Sequence, residues 1–342
     1  MKDGPAIVGL REFAASLAEP AGLAEAARAS GGVVAVVELG SGPMSLTAEA
    51  TRRAARMVPG VVVGVAPAGL SPEARARWAE LVDVILPTSS AAPVDDELEQ
   101  LTSAVGARPK AAAALVLLLR QEPATIEDGL VAESAVYSML QAGPEFAAWL
   151  RTRQERAPDR AAEGPAVRMA RDGDRLTVTL SRSARHNALN TAMRDALVEA
   201  LGAGLTDPSV TVVLQGDGAS FCSGGDLSEF GTAPDPATSH VIRLTRSPAA
   251  LAARLAPRLE VRVHGACIGA GIELAAFAGR VVARPDAVFA LPELTLGLIP
   301  GSGGTVSVRR RIGRHRTAWL ALSGERIDAR RAHAWGLVDE VV

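Results

Sequence analysis

The chain has 342 residues, enough for two domains, and with 48% hydrophobic and 22% charged side chains it reads as globular. Its 36 basic and 38 acidic residues leave a formal charge of −2, which excludes the basic field expected of a nucleic-acid partner. Two cysteines provide no disulfide framework, five histidines show no metal-ligand spacing, and neither a secretory pattern nor a membrane-spanning run is found, so a cytoplasmic protein without a resident metal is expected.

Residues 33–39, Val-Val-Ala-Val-Val-Glu-Leu, read as a buried strand, followed by a turn at Gly40 to Pro43. A helix over 46–57 and a strand over 60–66 come next. The same β-α-β order returns as a strand over 176–180, a helix over 191–205 and a strand over 210–214. Ser45-Leu46-Thr47 lines up with Ala188-Leu189-Asn190, Pro59 with Pro208, Gly69 with Gly218, and Leu81-Val82-Asp83 with Leu337-Val338-Asp339. Between Gly69 and Leu81 the first copy lacks the stretch that in the second copy holds two glycine-rich turns and two glutamates. The first half therefore reads as a degenerate copy without an active site. Residues 93–155 read as helices: Asp95 or Asp96 caps the first and Pro109 opens the next. Thr125 to Ala142 and Glu145 to Arg153 follow, with a break at Gly143-Pro144. Pro158, Gly164 and Pro165 mark a linker, which divides the chain into 1–155, a linker at 156–165, and 166–342.

In the second half, Val167 to Ala170 and Leu176 to Leu180 read as a hairpin around Asp172-Gly173, and Asn190 as the cap of the 191–205 helix. Phe221-Cys222-Ser223-Gly224-Gly225-Asp226-Leu227 forms a glycine-rich turn, and 236–256 reads as one helix. A strand ends at His264. Gly269-Ala270-Gly271 then opens a helix whose first turn carries Glu273. Backbone N–H groups at such a helix start lie open and favour negative charge. A second carboxylate, Glu293, sits in Pro292-Glu293-Leu294, ahead of Gly301-Ser302-Gly303-Gly304. That last stretch lacks the Lys-Ser/Thr of a phosphate loop, and Gly265-x-x-x-Gly269-x-Gly271 has the wrong spacing for a dinucleotide fingerprint. Two glycine turns with two glutamates point to chemistry on a carbonyl whose oxygen becomes negative. Cys222 and Cys267 read as small packing residues, because no histidine in the motif would activate a thiol, and His264 reads as structural.

The order Asn187-Ala188-Leu189, Ser220 to Leu227, Gly265 to Leu274, Pro292-Glu293-Leu294, Ile299 to Thr305 and Gly336-Leu337-Val338-Asp339 resembles the enoyl-CoA hydratase/isomerase (crotonase) superfamily over about 166–342. The resemblance implies an α/β fold with a crotonase-like ββα spiral core, here preceded by a truncated β-α-β unit and a helical module. It implies a coenzyme A thioester as substrate, with no further cofactor. The N–H groups of Ser223 and Ala270 would form the oxyanion hole, Glu273 would activate water and Glu293 would deliver a proton. Ala188, Leu189, Phe221, Gly224, Asp226 and Leu227 would contact the substrate on one side, and Gly269, Gly271, Pro292 and Gly301 on the other. Arg182 and Arg185 are read either as phosphate contacts or as solvated surface residues. Ala219 stands where many members have Lys or Arg, which leaves an acyl-carrier-protein thioester as an alternative substrate.

Gly129-Leu130-x-x-Glu133-x-x-x-Tyr137 and Pro144-Glu145-Phe146 resemble the family's C-terminal helices, which follow the Gly-Leu-Val-Asp motif. The expectation is that the 93–155 helices take the place of that tail, as in a circular permutation, within the chain or across a subunit boundary. The resemblance also implies a homo-oligomer, commonly a trimer. Two glutamates in register favour hydration, the reversible addition of water across C2=C3 of an enoyl thioester through an enolate. The alternatives are isomerisation, decarboxylation or 3-hydroxyacyl dehydration through the same enolate, and, in another class, a non-catalytic assembly subunit.

Overall fold

The structure, a computed structural model, describes residues 7–17, 32–40, 49–87, 94–153 and 164–342. Ser45-Leu46-Thr47 and most of the expected linker lie outside the described residues. The chain forms two compact units. One comprises Met1–Glu122, Leu294–Ile299 and Arg314–Gly324; the other comprises Pro123–Glu293, Pro300–Gly313 and Glu325–Val342. This division differs from the boundary expected at 156–165, because the helices after Pro123 pack with the second half.

The first unit contains β1 (Ile7–Gly9), α1 (Leu10–Ser16), β2 (Val33–Glu38), α2 (Glu49–Arg56), β3 (Val61–Ala66), α3 (Pro72–Ala79), β4 (Val84–Pro87), α4 (Val94–Ala107) and α5 (Pro109–Leu119). Its sheet runs β1-β2-β3-β4, with all pairs parallel. A parallel strand covered on both faces needs an unbroken apolar run, and β3, Val-Val-Val-Gly-Val-Ala, is buried at every position. Trp78 is fully buried against this sheet's core, and its indole N–H donates to Gly40 O at 2.8 Å. α4 begins at Val94, so Asp96 lies in its first turn, where an acidic residue suits the helix dipole; the position before Val94 and the Asp95 side chain lie outside the described residues. Pro109 does open α5.

The second unit begins with α6 (Ile126–Gln141), held by a capping box between Thr125 and Asp128, and α7 (Pro144–Thr152). The hairpin β5 (Val167–Asp172) and β6 (Arg175–Leu180) follows, then α8 (Thr191–Thr206) and β7 (Thr211–Gly216). Asn190 caps α8 through Met193 N–H at 2.9 Å. The stretch 236–256, expected as one helix, is two: α9 (Pro236–Thr245) and α10 (Pro248–Leu255). Pro248 cannot donate to the preceding turn, and the Ser247 hydroxyl accepts from Ala250 N–H, so the helix restarts there.

The remaining elements are β8 (Leu259–Val263), β9 (Ala266–Ile268), α11 (Ala270–Ala275), β10 (Arg280–Ala283), β11 (Val288–Ala290), α12 (Gly304–Ser323), β12 (Ile327–Asp328), α13 (Ala329–Trp335) and β13 (Glu340–Val341). They wind in repeated turns. β8, β9 and α11 make one turn and β10, β11 and α12 the next; β8 and β10 enter a six-stranded sheet while β9 and β11 enter a three-stranded one. This is the ββα spiral core expected from the resemblance. α12 breaks at Gly313, whose φ of 78° and ψ of 163° are non-helical, and the division between the units falls there.

One paired motif recurs in the two units. Val62 N–H donates to the Asp83 carboxylate at 2.9 Å and Asp83 N–H donates to Val62 O at 2.8 Å. Val281 and Asp339 exchange the same two bonds at 2.6 and 2.9 Å. Each aspartate leads into a parallel strand, β4 or β13, and each meets an arginine, Arg120 or Arg311. Gly69 and Gly218, also aligned in the sequence, have φ of +82° and +78°.

Candidate active site

The site begins where β9 turns into α11. Gly269 has φ of 50° and ψ of −122°, and a Cβ on it would lie 2.5 Å from Glu293 Oε1. Only glycine combines that backbone with so close a carboxylate. The turn makes Ala270 the first helical residue and puts Glu273, 2% exposed, in the first turn. Beside it, Cys222 bridges to Cys267 of β9, so the 221–227 turn runs along the strand that feeds the helix.

Leu189 N–H donates to Gly224 O at 2.8 Å and Asp226 N–H donates to Leu189 O at 2.9 Å. Gly225 lies between those bonds. Among the described residues neither its N–H nor that of Ala270 has an acceptor, and both residues line one cavity with Glu273 and Glu293. Ser223, expected as an oxyanion donor, is placed differently. Its N–H is spent on His186 O at 3.0 Å and it does not line the cavity. The shift follows from what the neighbouring segments take: Ala266 O engages Cys222 N–H, His186 O engages Ser223 N–H and Leu189 O engages Asp226 N–H, which leaves Gly225 open.

The carboxylates are held unequally. Glu273 Oε2 accepts Ser302 N–H at 2.7 Å and Gly304 N–H at 2.9 Å. A third glutamate enters from α6: Glu133 accepts Gly303 N–H at 2.6 Å, Thr305 N–H at 2.8 Å and the Thr305 hydroxyl at 2.6 Å. The glycine stretch 301–304 thus grips carboxylates with its amides, which accounts for its composition without a bound phosphate. Glu293 Oε2 is buried with no partner. Burial pushes the Glu293 carboxyl up to about 8 and that of Glu133 to about 7, and it raises Glu273 well above the usual carboxylate range, with repulsion from Glu293 and Glu133 adding to the shift. The two amide bonds on Glu273 favour its charged form, while the bare oxygen of Glu293 favours the protonated one.

The cavity has a volume of about 380 Å³. It brings together the expected residues Leu189, Asp226, Ala270, Glu273, Glu293 and Gly301, and adds Gly225, Tyr137 and Arg243. Ala188, Phe221, Gly224, Leu227, Gly269, Gly271 and Pro292 do not line it. Several of them support it instead. Gly271 lies so close to Cys222 that a Cβ would meet its carbonyl at 2.7 Å, and Leu227 O accepts from Arg153 at 3.0 Å. Arg182 is neither a phosphate contact nor a surface residue. It is buried, ion-paired to Asp226 at 2.9 Å, and donates to Ala188 O. Burial pushes the Cys222 thiol up to about 11 and also raises Cys267, which agrees with packing roles for both.

Helices α6 and α7 brace both sides of this cavity. Glu133 holds the 301–305 turn, while Arg153 donates to Leu227 O and Phe230 O, and Trp149 packs edge-on against Phe230 with centroids 6.1 Å apart. A Cβ on Gly301 would meet the Tyr137 ring at 2.4 Å. The sequence places Glu133 and Tyr137 on one helix of the tail-like module but gives neither a role of its own. Their spacing puts them on one face, yet nothing local says that this face meets a turn 170 residues later.

The enoyl-CoA hydratase/isomerase family profile matches residues 175–342. A 2,3-dehydroadipyl-CoA hydratase of Escherichia coli (strain K12) is 42% identical over 167 residues, 48% of this chain and 65% of that protein. A 1,2-epoxyphenylacetyl-CoA isomerase of the same strain is 36% identical over 49% of this chain and 66% of its own length. YhaR of Bacillus subtilis (strain 168), described as an enoyl-CoA hydratase/isomerase, is 32% identical over 51% of this chain and 68% of its own length. The chain thus matches about two thirds of the length of these relatives, and about half of its own length is matched. Through that second half, the chain belongs to the enoyl-CoA hydratase/isomerase family.

Proposed function

We propose that the protein adds water reversibly across the C2=C3 bond of an enoyl-CoA thioester. The observation that carries this reading is the convergence of Glu273 and Glu293 on one cavity with the open amides of Gly225 and Ala270. The thioester oxygen accepts from those two amides, which hold the charge of the enolate; each such donor contributes about 2.7–4 kcal/mol in other enzymes. Glu273, whose charged form two amides favour against burial, orients water in its ionised form and takes its proton as the oxygen attacks C3. Glu293, kept neutral by burial, gives its proton to C2. The two carboxyls exchange proton states over the cycle, so the reverse dehydration uses the same groups with roles reversed. An isomerase needs only one carboxyl to move a proton along the chain, which is why the pair favours hydration over the isomerase activity named for one relative.

The test follows loss of conjugated enoyl-thioester absorbance with crotonyl-CoA and longer enoyl-CoAs, comparing the native protein with Glu293→Gln. Loss that the substitution abolishes supports the reading. A folded native protein that consumes no enoyl-CoA overturns it in favour of a carrier-protein substrate, another enolate reaction or an assembly role.

A further inference from the structure

We propose that the acyl group taken by this site ends in a carboxylate, and that Arg243 binds that carboxylate. The proposal rests on the thioester reading above and names the acyl class.

Arg243 projects from α9 into the cavity that holds Glu273 and Glu293. It also lines a smaller adjoining cavity of about 80 Å³, whose walls include Leu130, Leu189, Leu244, Pro248 and Leu274. An acyl chain leaving the carboxylates thus has apolar wall for its methylenes and a guanidinium beside them. Among the described residues no carboxylate lies within ion-pair distance of Arg243. Its partners are neutral: Nε–H donates to Ser134 Oγ at 3.1 Å, Nη1 to Gln141 Oε1 at 3.1 Å, and Nη2 to Ser134 O at 3.3 Å and to the Ser138 hydroxyl. The guanidinium stacks 4.6 Å above the Tyr137 ring. A guanidinium has five N–H donors, so this arrangement fixes its orientation and leaves one Nη1–H unused.

Of the other charged groups in these walls, Arg246 lines only the smaller cavity, and Glu293 is pushed toward its neutral form by burial. Asp226 pairs with Arg182 at 2.9 Å, Glu229 accepts from Thr191 N–H at 2.8 Å, and Arg194 pairs with Asp195 at 2.9 Å. Glu273 and Glu133 are held by amides, and Glu133 reaches Arg243 only through space. Burial pushes the Arg243 guanidinium below its ordinary value, the direction expected of a cation short of a counter-charge. A carboxylate on the substrate supplies that charge, in a hydrogen bond with both partners ionised, where the bonds present have only the donor charged. Arg243 also ties α9 to α6, so the test must separate binding from bracing.

Adipyl-CoA and hexanoyl-CoA differ only in the terminal carboxylate, and neither can be hydrated. Calorimetric titration of the native protein is expected to show adipyl-CoA binding at least about tenfold tighter, with the preference weakening as salt rises. In Arg243→Met the preference falls to within about threefold, and in Arg243→Lys part of it survives. Equal native affinities overturn the proposal. So does an Arg243→Met variant that weakens both ligands by the same factor, because that marks a contact to coenzyme A or a bracing role alone. If Arg243→Met does not fold, the native ratio and the Arg243→Lys ratio still decide. Because both ligands are unreactive, a failed hydration assay leaves this result intact and counts only against the hydratase reading.

Discussion

Glu133 and Glu273 divide the amides of one turn between them: Ser302 and Gly304 donate to Glu273, and Gly303 and Thr305 to Glu133. Alternate N–H groups of a short segment point to opposite sides, so two carboxylates on opposite sides lock the turn without competing. Glu133 acts through Glu273 and is a positioning residue. Glu133→Gln puts an NH2 where an amide needs an acceptor and frees the turn. A fall in kcat of about a hundredfold is expected with KM changed little, the usual cost of misplacing a reacting group by about 1 Å. Steady-state kinetics on an enoyl-CoA checks this; an unchanged kcat refutes the positioning role.

Removing the carboxyls themselves has a larger effect. Glu273→Gln and Glu293→Gln are each expected to lower kcat by about 10²–10⁴, the range for a lost general acid or base. Binding of a saturated acyl-CoA, read by calorimetry, stays within a few-fold of the native value, because the amides that hold the thioester are untouched.

The pH dependence has a definite sign. Glu293, with its carboxyl near 8, must keep its proton, so turnover falls as pH rises through about 8. Glu273 must lose its proton, so turnover also falls on the acid side, at a pH above the ordinary carboxylate range. The profile of kcat/KM is therefore a bell shifted to high pH, and its two apparent values belong to the interacting set. Stability follows the same groups. Glu133 and Glu293 hold their protons more tightly folded than unfolded, so their contribution is fully present below the unfolded value of 4.5 and is lost as pH rises through about 7 and 8. Melting measured from about pH 5 to about pH 9 should show Tm falling, with a shallower fall in Glu293→Gln.

Gly269→Ala tests the approach of Glu293 to the helix start. The backbone there disfavours any side chain by about 1–2 kcal/mol, and the new methyl would displace Glu293. Lower Tm and a greater than tenfold loss of kcat are expected; retention of both refutes the placement.

In the first unit, Arg120 and Asp83 form a fully buried ion pair at 2.6 Å, with Arg120 also donating to Val58 O and Gly60 O. Removing one partner strands the other, so Asp83→Ala is expected to cost about 3–5 kcal/mol in denaturant unfolding. The matched Asp339→Ala should cost less, because Asp339 and Arg311 are partly solvated.

The sequence alone determined the elements whose signals are local. Unbroken valine runs marked β2 and β3, Asp172-Gly173 marked the hairpin, Asn190 marked a cap, two glycine turns with Glu273 and Glu293 pointed to carbonyl chemistry, and the ordered motifs from Asn187 to Asp339 marked the core through their resemblance to a known family. It did not distinguish Ser223 from Gly225, because which amide in a turn stays open depends on the neighbouring strand that takes the others. It read 236–256 as one helix, since apolar periodicity continues through a break that Ser247 and Pro248 impose. It gave Glu133, Tyr137 and Arg243 no roles of their own, although it marked the helices that carry them. Tertiary structure decided those roles: burial, open amides and missing counter-charges belong to groups far apart in the chain, and they exist only once the folded chain has removed water from between them.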